Sequence, residues 1–437
     1  MWTYHPELLE TAVPRYTSYP TAAEFHDGPG AADMGAALDA VAEGTPVSLY
    51  VHIPFCEQIC WYCGCNTGAA NREARLAAYL DALDAEIALV AERLGGRARV
   101  SRIAFGGGSP NALGPLTFLT LAHRIQSLFD ARTAEISVEI DPRGFTRQWA
   151  GMLGALGVDR VSLGVQTLCE PVQQAIGRVQ PPAMIAQAME WLRLAGVGSI
   201  NFDLMYGLPG QELSDLAATL DEACAMAPDR IALFGYAHVP HLIPRQRRID
   251  ATALPDPRAR FAQAAAGHRL LVDRGYRAIG FDHFAKPGDP LAMAAYGGTL
   301  RRNFQGFTDD AADILIGLGA TAISSFPDRI LQAEKNNGRY RMIVDAGRLP
   351  QTRGLFRNAE DRLRGRVIEQ LLCQGKADLS NLPDMRVRLA PFITRNLVRL
   401  DGASLRLMPE ALPYARAIAA CFDGYRQPDV RRFSNAI

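Results

Sequence analysis

Four of the chain's eight cysteines lie within ten positions, in the segment PFCEQICWYCGC at residues 54–65. They are Cys56, Cys60, Cys63 and Cys65, and the other four cysteines are scattered through a sequence of 437 residues. Such crowding exceeds what the composition predicts, so the packing of small buried side chains does not explain it. Three chemistries bring thiols this close together: a zinc site, a redox-active disulfide and an iron–sulfur cluster.

The spacing of these thiols bears on the choice among the three. A structural zinc site usually joins two separated ligand pairs, and neither a second pair nor a suitably spaced histidine follows here. A redox C-x-x-C pair is expected beside a thioredoxin-like fold and would not need two further thiols. Cys56, Cys60 and Cys63 form C-x3-C-x2-C, with Tyr62 directly before the third. Soft thiolates also suit an iron–sulfur cluster.

The segments that must position these thiols alternate between apolar strands and amphipathic helices. Strands are predicted at residues 47–54, 100–108, 134–141, 160–166, 199–210 and 229–240. Helices are predicted at residues 70–94, 115–129, 145–156, 181–196 and 212–227. This alternation indicates a parallel sheet, and six units, short of eight, predict a partial α/β barrel. The cysteines follow the first strand, and parallel sheets gather their chemistry at the carboxyl ends of strands.

The sequence predicts three regions. Residues 1–46 form an irregular N-terminal arm, residues 47–325 form the partial (β/α)6 barrel and its extension, and residues 326–437 form a mostly helical C-terminal domain. The character of the sequence changes after about residue 355, where a helical segment begins. A hairpin is predicted around Asp401-Gly402 because that pair favours a tight turn. Helices followed by a small hairpin favour a winged-helix-like domain.

Composition narrows the classes of function. The sequence has 46 basic and 46 acidic residues, so its zero net charge argues against bulk attraction to nucleic acid or to an anionic membrane. The N-terminus lacks a basic start followed by an apolar run, so no signal peptide is expected. No uninterrupted apolar run reaches the ~18 residues of a membrane-spanning helix. We therefore expect a soluble cytoplasmic protein without membrane insertion.

The motif C-x3-C-x-aromatic-C after the first strand of a partial barrel resembles the radical S-adenosylmethionine (SAM) superfamily. Further motifs resemble, in order, the oxygen-independent coproporphyrinogen III oxidases (dehydrogenases) of that superfamily. They are PRYTSYP (14–20), LYVHIPFC (49–56), SVEIDPR (137–143), SLGVQ (162–166), NFDLMYGLPGQ (201–211), YAHVP (236–240), DHFAKP (282–287) and RRNFQGFT (301–308). The resemblance extends from about residue 13 to FSNAI at residues 433–437.

The resemblance implies one 4Fe–4S cluster held by three cysteines, with an open iron that chelates SAM. By this resemblance the ligands are Cys56, Cys60 and Cys63, and Cys65 is an extra thiol. The resemblance also implies two SAM molecules. Contacts to the cluster-bound one are expected from Tyr50, Gly107, Glu139 and Ile323. Contacts to the second are expected from Tyr62, Gly108, Ser109, Gln166, Arg178, Asp203 and Ala237.

The implied reaction is the oxidative decarboxylation of two propionates of coproporphyrinogen III to the vinyl groups of protoporphyrinogen IX. In this family a 5′-deoxyadenosyl radical abstracts the propionate hydrogen, within haem (porphyrin) biosynthesis. A reduced flavodoxin-like or ferredoxin-like protein is the expected electron donor, and the expected oligomeric state is a monomer. The substrate's carboxylates call for basic donors, for which Arg15, Arg301 and Arg302 are candidates, and residues 303–307 are expected to line the substrate pocket. His238 and His283 are left outside the site.

Two rival functions remain open at this stage. A related branch of the family resembles a haem-binding chaperone with the same three-cysteine motif, but it typically lacks Cys65, the PRYTSYP arm and the RNFQGF stretch. A radical SAM enzyme acting on another tetrapyrrole is the second rival. The chain departs from the family pattern at Ser109, where the family has threonine, and at Gly235, where the family often has asparagine.

Overall fold

The computed structural model describes residues 2–9, 12–70 and 73–426. The FSNAI motif at residues 433–437, the C-terminal end of the predicted third domain and two residues of the helix predicted at 70–94 lie outside this description. The N-terminal arm contains two short helices, α1 (Pro6–Leu9) and α2 (Ala31–Asp39). No helix among the described residues is long and apolar enough to cross a membrane.

Six strand–helix units follow, as the sequence predicts. The strands of this region are β1 (Pro46–Ile53), β2 (Phe55–Cys56), β3 (Gly68–Ala69), β4 (Arg99–Gly107), β5 (Glu135–Ile140), β6 (Arg160–Gln166), β7 (Ser199–Tyr206) and β8 (Arg230–Gly235). The helices are α3 (Glu73–Leu94), α4 (Pro115–Leu128), α5 (Arg147–Ala155), α6 (Glu170–Ala175), α7 (Pro182–Leu194) and α8 (Leu213–Ala225). Strands β1 and β4 to β8 pair in parallel in that order, which confirms the partial barrel.

Further elements connect the barrel to the rest of the chain. They are α9 (Pro257–Asp273), β9 (Arg277–Ile279), β10 (His283–Ala285), α10 (Pro290–Gly297), β11 (Arg301–Asn303), β12 (Gly306–Thr308), β13 (Ile314–Leu318), β14 (Ile323–Phe326), β15 (Arg329–Ala333), α11 (Asn337–Asp345) and β16 (Gln351–Phe356). Strand β13 pairs in parallel with β1, whereas β10 pairs antiparallel with β8. The result is a sheet of twelve strands that continues past residue 325 as far as Phe356.

Apolar side chains from the strands form the interior and hold the carboxyl ends of the strands in place. In β1, Val47, Leu49, Val51 and Ile53 are at most 1% exposed. They alternate with Ser48, Tyr50 and His52, and because Ser48 and His52 are buried as well, both faces of the strand are covered. The polar residues of the site therefore lie beyond or at the ends of strands whose bodies are fixed by packing.

The hairpin of β11 and β12 lies inside the curvature of the large sheet. The Phe307 ring on β12 stacks edge-on against the His283 ring of β10, with ring centroids 5.3 Å apart. Just beyond the hairpin, Asp309 accepts hydrogen bonds from Arg102 of β4 (2.9 Å) and Arg160 of β6 (3.1 Å). The hairpin thus fills space between opposite walls of the partial barrel.

The C-terminal domain combines helices with a small antiparallel sheet. Its elements are α12 (Ala359–Gln374), β17 (Lys376–Asp378), α13 (Arg386–Ile393), β18 (Val398–Asp401), β19 (Ser404–Leu407) and α14 (Ala415–Ala419). The predicted hairpin is present, because β18 pairs with β19 through a turn at Gly402. Leu8, Leu9 and Tyr16 of the arm belong to the same apolar cluster as α12 residues such as Leu371.

Candidate active site

The carboxyl ends of the barrel strands surround a cavity of about 380 Å³. Its lining includes twelve of the fourteen residues that the sequence assigns to the cluster and to SAM. These are Cys56, Cys60, Tyr62, Cys63, Gly107, Gly108, Ser109, Glu139, Gln166, Arg178, Asp203 and Ala237. The fold therefore gathers residues that are up to 181 positions apart in the sequence (237 − 56) onto one surface.

The two ends of the cysteine loop are tied together by the pairing of β2 with β3. The backbone oxygen of Cys56 accepts a hydrogen bond from the N–H of Ala70 (2.9 Å). Cys60 is buried at 5% exposure, whereas Cys65 is exposed. The sulfur of Cys63 accepts a hydrogen bond from the N–H of Cys65 (3.4 Å). Hydrogen bonding from Cys65, including from its thiol, lowers the pKa of Cys63 to about 6.

The donor set of this loop suits a cluster rather than a single ion. Among the described residues, no three Cys, His, Asp or Glu side chains converge where one metal ion could sit. A cluster is bound at separate irons by separate thiolates, so its ligands need not meet at a point. Three thiols on one cavity wall fit that requirement.

Two arginines connect the cysteine loop to a half-buried carboxylate. Arg143 and Arg178 each donate to the Cys60 sulfur (3.2 Å) and also bond Asp141, at 2.6 Å and 3.1 Å respectively. Although burial disfavours its charge, Asp141 has a pKa below the ordinary value because Arg178 and Arg143 stabilise the carboxylate. The buried Nε atom of Arg178 has no hydrogen-bond partner among the described residues.

The glycine-rich turn after β4 lies directly against the end of β1. The N–H of Gly108 donates to the Ile53 carbonyl and the N–H of Ser109 donates to the Phe55 carbonyl, both at 2.8 Å. A Cβ atom on Gly108 would lie 2.4 Å from that Phe55 oxygen, so only glycine allows this approach. The Ser109 hydroxyl contacts the Asn111 side chain and accepts from the N–H of Asp141 (3.0 Å), so it is used within the turn.

Two carboxyl groups line the cavity: Glu139 lies next to the glycine turn, and Asp203 on β7 is half-buried. Desolvation, reinforced by the charge of Asp203, raises the pKa of Glu139 to about 7, and the Gly107 N–H that donates to Glu139 (3.1 Å) opposes that rise. Burial also raises the pKa of Asp203, which accepts hydrogen bonds from Ser162 and Asn201, both at 2.8 Å. Glu139 and Asp203 can accept hydrogen bonds from hydroxyl groups of a bound nucleoside, and when protonated they can donate hydrogen bonds to them.

Two further features complete the wall, one at the fourth unit and one after the sixth. Gln166, at the end of β6, has a φ of 66°, and the pairing of β6 with β7 shifts register there. The Gln246 side chain donates to the backbone oxygens of Tyr62 (2.8 Å) and Ala237 (3.0 Å). One amide thus holds the cysteine loop against the segment after β8.

The chain was compared with known proteins. Residues 50–223 match the family model of the radical SAM superfamily. The oxygen-independent coproporphyrinogen III oxidase of Bradyrhizobium diazoefficiens is 42% identical over 440 residues and matches across 98% of each chain. The protein of the same name from Escherichia coli is 36% identical, across 97% of this chain and 96% of its own. A solved structure of coproporphyrinogen III oxidase from Escherichia coli, described as a radical SAM enzyme, is similar with a TM-score of 0.90 and 34% identity, across 97% of this chain and 100% of that one.

The chain belongs to the family of oxygen-independent coproporphyrinogen III oxidases. The resemblance inferred from the motifs is therefore confirmed, and so is the radical SAM fold. The family implies a 4Fe–4S cluster and SAM as cofactors, which the three thiols and the polar side chains that line the cavity fit.

Two of the residues that the sequence assigns to SAM do not line this cavity. The Tyr50 hydroxyl bonds the Nδ1 atom of His52 (3.1 Å), and burial followed by the charge of Glu139 raises the pKa of Tyr50. Tyr50 is therefore close to the site although it does not face the cavity. Ile323 on β14 packs against an apolar cluster that contains Phe25 and Ile330. Their roles toward SAM stay predictions.

Several residues of the site were not singled out from the sequence. Asp141 and Arg143 lie within the SVEIDPR motif, which carried the family resemblance, but no role was assigned to either. Gln246 follows no recognisable motif, and only the folded chain shows that it bonds two distant backbone segments. Of the three arginines expected to bind substrate carboxylates, Arg15 lines the cavity, whereas Arg301 and Arg302 do not.

Proposed function

We propose that this chain catalyses the oxygen-independent oxidative decarboxylation of coproporphyrinogen III to protoporphyrinogen IX, an oxidoreductase step of haem biosynthesis. The observation that carries the proposal is that all three cysteines of C-x3-C-x2-C share one cavity with residues from the ends of the barrel strands. The names of relatives that match nearly the whole chain support the choice of substrate.

We assign Cys56, Cys60 and Cys63 as the cluster ligands. When bound, the cluster and SAM supply the one-electron chemistry that starts hydrogen abstraction from a substrate propionate. The two guanidinium groups at the Cys60 sulfur offset the negative charge of the thiolates. Because charge-assisted hydrogen bonds are the strong ones, this arrangement fixes both the loop and the charge balance of the site.

We further propose that the cavity holds two SAM molecules. Support comes from its two walls: the glycine turn and Glu139 lie on one side, and Arg178, Asp203 and Gln166 lie on the other. The partnerless Nε of Arg178 and the two carboxyl groups provide polar atoms that a nucleoside or amino acid group can bond. Of these atoms the Nε of Arg178 is buried, and a buried donor needs such a partner.

The electron donor is proposed to be a reduced flavodoxin-like or ferredoxin-like protein. Arg245, Arg247 and Arg248 form a basic segment whose first member donates to Thr67, two residues beyond Cys65. A basic surface next to the cluster favours an acidic partner. We propose that the protein acts in the cytoplasm as a monomer, as the family resemblance suggests.

The decisive experiment is an anaerobic assay of the reconstituted protein with SAM, a reductant and coproporphyrinogen III. We expect protoporphyrinogen IX and 5′-deoxyadenosine to form together, and their absence would refute the proposal. Equilibrium binding of SAM to the same preparation should give two molecules per chain. A single molecule would remove the second SAM site but leave the activity standing.

The assay also separates the oxidase from the haem-binding chaperone. Tight haem binding without either product would favour the chaperone. Three features favour the oxidase: Cys65 and Arg15 of the PRYTSYP arm both line the cavity, and Phe307 of the RNFQGF stretch lines a second cavity that shares Glu139 and Asp203 with it.

A further inference from the structure

A third cavity, distinct from the one that Phe307 lines, adjoins the candidate active site. Its volume is about 50 Å³, and its lining includes Arg15, Arg260 and Arg416. We call it the arginine cavity. The three arginines come from different regions, since Arg15 belongs to the arm, Arg260 to α9 and Arg416 to α14.

The arginine cavity has an excess of positive charge. Asp282 is the one carboxylate among the described residues that line it, and its Oδ1 atom already bonds Nδ1 of His283 (2.6 Å). Burial, followed by the nearby charge of Arg15, lowers the pKa of Arg416 to about 10. Arg15 is exposed and Arg260 and Arg416 are half-buried, so the three like charges repel one another through partly desolvated surroundings and favour an anion between them.

Donor atoms are available in this cavity. Arg260 uses Nη2 to bond the Tyr236 carbonyl (2.7 Å), whereas its buried Nε has no partner among the described residues. Arg15 uses Nη2 to bond the Gly235 carbonyl (3.0 Å). Each guanidinium has five N–H donors in a fixed fork, so both retain donors for a ligand.

The arginine cavity and the active-site cavity share part of their walls. Arg15 and Gly235 line both cavities. The two cavities are therefore adjacent at Gly235, and a carboxylate in the arginine cavity would be carried by a short side chain that passes this residue. The volume of about 50 Å³ exceeds the ~10–15 Å³ that one water needs on the same measure, which is enough for a carboxylate group.

We propose that the arginine cavity binds a propionate carboxylate of the substrate and so orients the macrocycle at the active site. This inference rests on the proposed function, because it assumes a substrate with carboxylate side chains. It assigns a role to Arg260 and Arg416, neither of which the sequence indicated. It also gives the C-terminal domain a direct part in substrate binding.

The test fills the cavity with a carboxylate carried by the protein itself. Ala264 lies on α9 and lines the arginine cavity, whereas Ala262 on the same helix is exposed. We expect Ala264→Glu to weaken binding of coproporphyrin III, a fluorescent tetracarboxylate, by roughly 10- to 100-fold, the range for lost hydrogen bonds to a charged group. Ala262→Glu, the matched control, should bind as the wild type does.

The variants Arg260→Gln and Arg416→Gln provide a second, independent test. They should raise KM for coproporphyrinogen III by a similar factor while cluster content and SAM affinity stay unchanged. The tetramethyl ester of coproporphyrin should bind the wild type weakly, and its affinity should not change in any variant. Thermal unfolding of each variant identifies any that fails to fold, and Ala264→Glu keeps all three arginines in place.

The outcomes distinguish the two proposals. If the wild type forms protoporphyrinogen and Ala264→Glu binds coproporphyrin III as tightly as Ala262→Glu does, carboxylate binding in the arginine cavity is refuted and the proposed function stands. If the wild type forms no protoporphyrinogen but coproporphyrin affinity still falls in Ala264→Glu, the function fails and the carboxylate site stands. Absence of coproporphyrin binding by the wild type refutes the site.

Discussion

Cys65 supports the cysteine loop through its backbone and its thiol. Its N–H donates to the Cys63 sulfur, and its side chain is a further donor to the same atom. Hydrogen bonds to a ligating sulfur tune an iron–sulfur cluster without adding a ligand. The position of Cys65 is thus consistent with support of the neighbouring thiolate.

Substitution of Cys65 should therefore spare the cluster. We expect Cys65→Ser to retain about the wild-type iron and sulfide content after anaerobic reconstitution, because the backbone N–H and a hydroxyl donor both remain. Cys63→Ser, the matched control, should lose the cluster, since it removes one of the three thiolates that we propose as ligands. Iron analysis and the visible absorption spectrum measure both. Complete loss of iron from Cys65→Ser would contradict the assignment of three ligands.

Glu86 is a buried carboxyl group on α3 that does not line the active-site cavity. One oxygen accepts hydrogen bonds from the N–H of Gly319 (2.7 Å) and the hydroxyl of Tyr340 (2.6 Å), and the other has no partner among the described residues. Burial raises the pKa of Glu86 from 4.5 to about 7, although both hydrogen bonds oppose the rise. The folded protein therefore holds a proton that the unfolded chain releases at lower pH.

The stability of the Glu86→Gln variant should consequently differ from that of the wild type in a pH-dependent way. Below about pH 4.5 Glu86 is protonated in both the folded and the unfolded wild type, so its burial lowers the stability of the wild type least there. As the pH rises to about 7, wild-type stability falls by about 3 kcal/mol. Because glutamine does not titrate, the stability of Glu86→Gln relative to the wild type should increase over that range.

Urea unfolding of both proteins at several pH values between about 5 and 8 measures the effect. Glu92→Gln, on the exposed side of the same helix, should change stability little because an exposed charge is well hydrated. A stability difference between Glu86→Gln and the wild type that stays constant with pH would show that Glu86 is ionised in the folded state throughout.

At the scale of elements, the glycine turn after β4 depends on close backbone approach. A Cβ atom on Gly108 would meet two backbone atoms of Phe55, the oxygen at 2.4 Å and the nitrogen at 2.7 Å. Backbone atoms cannot rotate away as a side chain can. We expect Gly108→Ala to lose about 2 kcal/mol of stability and to bind SAM more weakly, as measured by denaturation and by equilibrium binding.

A helical glycine in open space provides the control for this prediction. Apart from its chain neighbours and the backbone of its own helix, no atom lies within 4 Å of the position that a Cβ on Gly151 of α5 would occupy. Gly151→Ala should leave SAM binding unchanged and stabilise the helix by up to about 1 kcal/mol. Equal effects of the two substitutions on stability and SAM binding would show that backbone contact at Gly108 is not the cause.

The predictability of the elements depended on their length. Six strands of six to nine residues carry apolar runs between helices, and their pattern predicted the barrel, its site edge and the cysteine position. Strands β9 to β12 have three residues each, too few to show a period. Their pairing depends on contacts such as Phe307 with His283, which the sequence does not reveal. The unusual φ of Gln166 likewise depends on the register shift around it.

At the scale of the whole molecule, Arg302 joins regions that are distant in sequence. From the β11–β12 hairpin it donates to the backbone oxygens of Arg15 (3.0 Å) and Tyr16 (3.1 Å) in the arm. Its guanidinium also lies over the Phe281 ring, 5.0 Å from the centroid, and Arg416 of the C-terminal domain contacts that ring too. The arm, the hairpin and the C-terminal domain therefore meet at the rim of the barrel.

This arrangement predicts that Arg302 protects one bond of the arm from proteolysis. Trypsin cleaves after arginine, and the Arg15–Tyr16 bond carries one of the carbonyl groups that Arg302 holds. We expect Arg302→Gln to speed tryptic cleavage of this bond by roughly 10-fold or more, the factor expected for the loss of charge-assisted hydrogen bonds. Arg301→Gln is the matched control, since Arg301 bonds Glu369 and Asp313 instead. Timed digestion with mass spectrometry of the N-terminal fragment measures both rates, and equal rates in the two variants would show that Arg302 does not hold the arm.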